Sequence, residues 1–207
     1  MPSALRVAIV GAGPSGLAAL RALSAAGLDA VAYERGERVG GIWTLEERST
    51  AAYRSLHLIT SRERTEFGEV PMPDGTPDYP SRDAVGRYLE EYAGRFALGD
   101  RIRLGTGVAQ ARPLDGGGWE IELDDGSVER ADALVVASGH NEEPKWPDPG
   151  YPGAFDGEQL HALDYHDPEQ FRDRRVLIVG MGNSAMDIAT DASYVAERTL
   201  LSARRGS

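Results

Sequence analysis

The chain contains no cysteine, which removes a disulfide framework, a thiolate metal site and a redox-active dithiol from consideration. Basic residues are also in short supply. Lys and Arg number 22 against 33 for Asp and Glu, giving a formal net charge of −11 that disfavours nucleic acid or an anionic membrane as a general partner. No apolar run approaches the roughly 18 residues that a membrane-spanning helix needs. The N-terminus runs into a strand pattern without a signal-peptide signature, so a cytoplasmic protein with no membrane segment is expected. His57, His140 and His166 lack metal-ligand spacing, and no metal is expected.

What is present is enough for a substantial core: 207 residues, 41% of them hydrophobic. Arg6 to Val10 is an apolar run ending on glycine, the pattern of a strand buried in a parallel sheet. It leads into Gly11-Ala12-Gly13-Pro14-Ser15-Gly16. Pro14 to Ala26 carries Leu17, Leu20 and Leu23 at helical spacing before a stop at Gly27, and Ala30 to Tyr33 reads as a second strand ending at Glu34. Strand, glycine loop, helix, strand and acid make a complete dinucleotide-binding unit. Gly11 permits the tight turn, Gly13 the approach of a pyrophosphate, and Gly16 close helix–strand packing. Glu34, 23 positions after Gly11, is placed to accept ribose hydroxyls and would repel a 2′-phosphate, so this site suits FAD or NAD over NADP.

Residues 36 to 80 read as long loops covering a ligand. Val85, Tyr88, Leu89, Tyr92 and Phe96 then form the apolar stripe of a helix with Ser81 as N-cap. Residues 102–104, 107–111, 119–123 and 127–130 read as short strands, with turns at Gly116-Gly117-Gly118 and Asp124-Asp125-Gly126. Ala133 to Ala137 reads as another buried strand. Pro144, Pro147, Pro149 and Pro152 then stiffen the chain and mark a domain boundary, with a first nucleotide-binding domain over residues 1–147 and the start of a second over 148–207.

A second strand, residues 175–179, enters Gly180-Met181-Gly182-Asn183-Ser184-Ala185, where Ala185 replaces the third glycine. Residues 184–197 read as a helix and 199–202 as a strand. After it comes no acid but Arg204-Arg205. Guanidinium groups bind phosphate bidentately, which favours NADPH at this loop over the alternative of a solvated basic pair. The fold class is α/β, an FAD/NAD(P)-binding Rossmann-like three-layer fold with a second, incomplete nucleotide-binding domain. The chain is expected to continue in a missing C-terminal portion, or else to function as a homo-oligomer.

Between the loops stands Phe155-x-Gly157-x-x-x-His161-x-x-x-Tyr165. With both loops, and with Gly40-Gly41-Ile42-Trp43, Tyr53-Arg54-Ser55-Leu56, Pro71-Met72-Pro73, Ala137-Ser138-Gly139-His140 and Asp187-Ile188-Ala189, this pattern resembles the flavin-containing monooxygenases over almost the whole chain. Baeyer–Villiger monooxygenases carry Trp where Tyr165 stands. The resemblance implies an FAD- and NADPH-dependent monooxygenase that transfers one oxygen atom from a C4a-hydroperoxyflavin to a soft nucleophile, an amine nitrogen or a sulfide sulfur, with dioxygen as co-substrate. It implies FAD contacts at Gly11, Ala12, Gly13, Pro14, Ser15, Gly16, Glu34, Ile42, Trp43, Thr60 and Val108. It implies NADPH contacts at Gly180, Gly182, Asn183, Ser184, Ala185, Asp187 and Arg204. Trp43 is read equally as a flavin neighbour or as core, and His161 and Tyr165 as structural. One position departs from the family: Ile59 stands where many members have an asparagine near the flavin, which leaves a leaky oxidase, or substitution by His57 or Thr60, as readings. A catalytically incomplete nucleotide-binding fragment and a Baeyer–Villiger-type relative are the alternatives.

Overall fold

The structure, a computed structural model, describes residues 5–44, 52–141 and 143–204; Arg205 lies outside them. It packs as two units, one formed by Met1–Ser49 with Ile59–His140, the other by Thr50–Leu58 with Asn141–Ser207. The short segment before Ile59 thus joins the second unit, whereas a single cut among the prolines would assign it to the first.

In the first unit, β1 (Arg6–Val10) lies between two parallel neighbours, β2 (Asp29–Tyr33) and β7 (Ala133–Val136), with β3 (Ile102–Arg103) beyond β2. Val7, Ala8 and Ile9 are buried, as a central strand covered on both faces requires. The helix α1 (Pro14–Ala25) inserts Leu17 and Leu20, both fully buried, and Gly27 at φ 77° ends it. The expected burial of β7 is not found: Val136 is 68% exposed. Among the described residues β7 pairs only with β1 and forms a sheet edge, so its apolar composition does not translate into enclosure.

After β2 the chain makes a 3₁₀ turn at Gly41–Trp43 and the short α2 (Arg62–Thr65). It then enters α3 (Arg82–Arg95), where the Ser81 side chain accepts from the Ala84 amide. Val85, Tyr88, Leu89 and Tyr92 are buried along one face, and Tyr88 accepts from the Phe67 amide while donating to the Val70 carbonyl, pinning the preceding loop. An antiparallel sheet of β4 (Val108–Pro113), β5 (Trp119–Leu123) and β6 (Val128–Ala131) completes the unit. Its Ile121, Leu123 and Ala131 pack with Ala8 and Tyr33.

In the second unit β8 (Arg175–Val179) pairs in parallel with β9 (Arg198–Ser202), connected by α4 (Asn183–Val195). Its core holds Tyr53, Tyr165, Phe171, Ile178, Ile188 and Ala192. Alternation along the strands places Leu177, Val179 and Leu200 on the opposite sheet face, where they are 60%, 50% and 45% exposed.

Candidate dinucleotide sites

The first glycine loop is held from three directions. Gly11, at φ 95°, donates to the Tyr33 carbonyl, and a Cβ there would lie 2.6 Å from the Ala137 carbonyl oxygen. A Cβ on Gly16 would overlap the Gly11 carbonyl oxygen, so both glycines are demanded by backbone packing. The Ala12 peptide is fixed at both ends: its N–H donates to Glu34 Oε2 at 2.7 Å, and its carbonyl accepts from the Gly40 amide at 3.0 Å. Glu34 Oε1 accepts from the Gly36 amide at 2.9 Å. Each carboxylate oxygen has a second lone pair, so Glu34 braces the loop and keeps acceptor capacity for a ribose hydroxyl.

Gly13 is the N-cap of α1 and supplies no side-chain cap, in contrast to Ser81 on α3. No N-cap side chain occupies the first-turn N–H groups, the arrangement that suits an anion at a helix start. Gly41 packs on Gly13, its absent Cβ 3.1 Å from the Gly13 Cα, and brings Ile42 and Trp43, both half-buried, to the same loop. Pro14 and Ser15 open the helix. Val108 packs against the small-sheet core. Thr60 is exposed, its hydroxyl 2.6 Å from that of Thr65, and Ile59 is 68% exposed.

Two residues that the sequence reading missed fix the Gly41–Trp43 turn. Arg82 is buried and donates to the Thr44 carbonyl through Nε and Nη2. Gly86 in α3 faces the Trp43 carbonyl oxygen so closely that a Cβ would stand 2.7 Å away. The available signal was a glycine inside a strong helical stripe, where alanine is favoured by about 1 kcal/mol.

The second loop repeats the plan with looser packing. Gly180, at φ 128°, donates to the Ser202 carbonyl at 2.9 Å, and its absent Cβ would be 3.8 Å from that of Ala185, a distance that accommodates the alanine. Gly182 caps α4 without a side-chain bond, and a Cβ on it would meet nothing within 4 Å. Beside it a cavity of about 410 Å³ is lined by Gly180, Met181, Ala203 and Arg204. These open glycines, uncapped helix ends and the arginine at the end of β9 fit a dinucleotide phosphate. Asn183 and Ser184 form the first turn of α4. One turn on, Asp187 accepts a 2.5 Å hydrogen bond from the Tyr53 hydroxyl.

His161 and Tyr165 serve the architecture. His161 Nδ1 accepts from the Leu163 amide, and Asp164 accepts from the His161 amide, a capping box on the turn that delivers Tyr165 to the core. No group of three or more potential metal-ligating side chains occurs among the described residues, and no helix among them is long and apolar enough to cross a membrane.

A Rossmann-like α/β chain with two glycine-loop cradles, each in its own unit, is the class that this geometry defines. The chain belongs to the flavin-binding monooxygenase-like family, whose model matches residues 4–207. It is 37% identical to flavin-containing monooxygenase 3 of Macaca mulatta over 98% of its own length and 40% of that protein's. It is likewise 37% identical to flavin-containing monooxygenase 1 of Oryctolagus cuniculus, covering 99% of this chain and 41% of the relative. The chain therefore spans less than half of the curated relatives that it matches. Among solved structures it resembles S-allyl-L-cysteine S-oxygenase from Allium sativum, with a TM-score of 0.88 at 29% identity over 99% of this chain and 52% of that one. It also resembles OTEMO in complex with FAD and NADP, with a TM-score of 0.78 at 25% identity over 97% and 39%.

Proposed function

We propose that this chain is the N-terminal portion of an FAD- and NADPH-dependent monooxygenase that passes one oxygen atom of dioxygen to an amine nitrogen or a sulfide sulfur. The observation that carries the reading is the pair of uncapped helix starts, one backed by Glu34 and the other by Arg204. FAD takes the N-terminal portion up to residue 147, and NADPH takes the portion from 148. The family relationship and the S-oxygenase activity in the name of the Allium sativum relative support the reaction class. A cytoplasmic location accompanies this reading.

Bound FAD would supply the two-electron chemistry, reduced by NADPH, by which one atom of dioxygen reaches the nucleophile and the other leaves as water. The chain's own residues bind and orient. N–H groups of the Gly11–Gly16 loop face the flavin pyrophosphate, and Glu34 accepts from the adenosine ribose. The Gly41–Trp43 turn, braced by Arg82 and Gly86, carries Ile42 and Trp43 as flavin neighbours, with Thr60 and the Val108 backbone completing the FAD contacts. The Gly180–Ala185 loop and the first turn of α4 hold the NADPH pyrophosphate, while Arg204 takes the 2′-phosphate. The Ile59 side chain offers no hydrogen-bond donor, so any donor to a bound flavin on this segment would come from other groups.

An absorbance spectrum of the purified chain, followed by anaerobic titration with NADPH and with NADH, tests the reading. A flavin band bleached by NADPH in preference to NADH supports it; a colourless protein after purification with excess FAD counts against flavin binding. A second reading, a nucleotide-binding fragment that catalyses nothing alone, is favoured by the open Leu177, Val179 and Leu200 face. Flavin retained without NADPH reduction would select it.

A further inference from the structure

Asp187 and Asp191 stand four residues apart on α4 and so share one helix face. Both receive hydroxyl donors. Tyr53 donates to Asp187 Oδ2 at 2.5 Å, Tyr165 donates to Asp191 Oδ2 at 2.6 Å, and Ser55 donates to the same oxygen. The Tyr53 and Tyr165 ring centroids are 5.5 Å apart, and Tyr165 stacks on Phe171. Both tyrosines are buried, at 3% and 1% exposure. At the outer side of the same segment, the Arg54 amide donates to the His166 carbonyl and its guanidinium pairs with Asp167 at 2.9 Å. Residues 53–55 therefore form a short splint bonded along the helix that follows the second glycine loop.

Tyr53 has the most direct line to that loop. Its hydroxyl donates to Asp187, one turn after the residues that open α4. Burial first, then the bond to Asp187, pushes the Tyr53 hydroxyl far above its ordinary range, so it remains a protonated donor at any working pH. The loop itself is loosely packed, with open space around Gly182. Its position relative to the helix is correspondingly dependent on what steadies the first turn.

We infer that Tyr53 is a positioning residue for the NADPH pyrophosphate, with Asp187 acting through Tyr53 rather than by touching the nucleotide. The inference rests on the reading that α4 receives NADPH. Removing the hydroxyl leaves the ring in the core but releases Asp187, one turn into α4, so nucleotide affinity falls while fold and flavin binding persist.

The test measures the dissociation constant of NADP⁺, which binds without turnover, for the 207-residue chain and its Tyr53→Phe, Asp187→Ala and Asp187→Asn variants. FAD content and melting temperature are followed in parallel. Tyr53→Phe and Asp187→Ala are expected to weaken NADP⁺ binding about tenfold, the scale of one hydrogen bond to a charged group, with FAD content unchanged. Asp187→Asn keeps an acceptor oxygen and is expected to recover most of the affinity. Unaltered NADP⁺ affinity in Tyr53→Phe, or a parallel loss of NADP⁺, FAD and thermal stability, overturns the inference and leaves the NADPH reading standing. Should Tyr53→Phe not fold, the split between Asp187→Ala and Asp187→Asn decides in the same way. Absence of NADP⁺ binding by the unsubstituted chain overturns the reading itself, and the inference with it.

Discussion

Gly16 sits against the carbonyl of Gly11 with no room for a Cβ between them. The obstruction is backbone, which cannot rotate away as a side-chain terminus can. Gly16→Ala is therefore expected to destabilise the first unit by about 1–3 kcal/mol, the usual cost of overpacking, and to lower flavin retention. Thermal unfolding and the flavin-to-protein absorbance ratio measure the two effects. The matching position of the second loop already holds Ala185, so the asymmetry is built into the chain.

Gly86→Ala is the corresponding test on α3. In an exposed helix alanine would gain about 1 kcal/mol over glycine, but here the added methyl would lie 2.7 Å from the Trp43 carbonyl oxygen. The expected result is a net loss of stability together with an altered flavin environment, read from melting temperature and the visible circular dichroism of bound FAD. A stabilised variant with an unchanged spectrum would mean that the turn yields easily.

Glu129 gives the first unit an acid limb. Burial alone would raise its carboxyl, but hydrogen bonds from Tyr33 and Arg103, with the charges of Arg103 and Arg6, outweigh that and hold it below the ordinary value of 4.5. A carboxyl depressed in the folded state contributes stability above its unfolded value, and that contribution is lost as pH falls through the folded one. Melting temperature is therefore expected to drop as the pH is taken below about 4.5, the ordinary value. Glu129→Gln is expected to be less stable at neutral pH and to show a flatter acid limb.

Arg204 lines the cavity beside Gly180 and Met181. Under the NADPH assignment, Arg204→Ser is expected to weaken NADPH binding roughly 10- to 100-fold, the range for hydrogen bonds to a charged group, while NADH binding barely changes. Paired titrations of the two nucleotides, at two salt concentrations, check it. Equal weakening of both would remove the 2′-phosphate role.

The first nucleotide unit was legible because each of its signals is local. An apolar strand, three glycines, a leucine stripe and an acid lie within the first 34 residues, and the structure assembles them in that order. The Ser81 cap and the turn at Asp125, which accepts from the Ser127 amide, were legible for the same reason. Contacts between distant residues were not. Tyr53 and Asp187 are 134 positions apart, and Arg82 and Thr44 are separated by 38; no periodicity records either pairing. The interior glycine of α3 could be noticed but not explained before Trp43 was placed against it. Composition misled at β7, whose valines suggest enclosure although strand order leaves it at an edge.

The membership of residues 53–55 in the second unit has a consequence for recombination between relatives. A crossover placed anywhere in the proline-rich stretch would transfer Asp187 and Asp191 from one parent while leaving their hydroxyl donors Tyr53 and Ser55 with the other. The carboxylates would then meet whatever side chains the second parent happened to carry there. The heritable module is a discontinuous one, and any shuffled library that treats the short N-terminal piece and the later segment as independent blocks will select for parents that already agree at those positions.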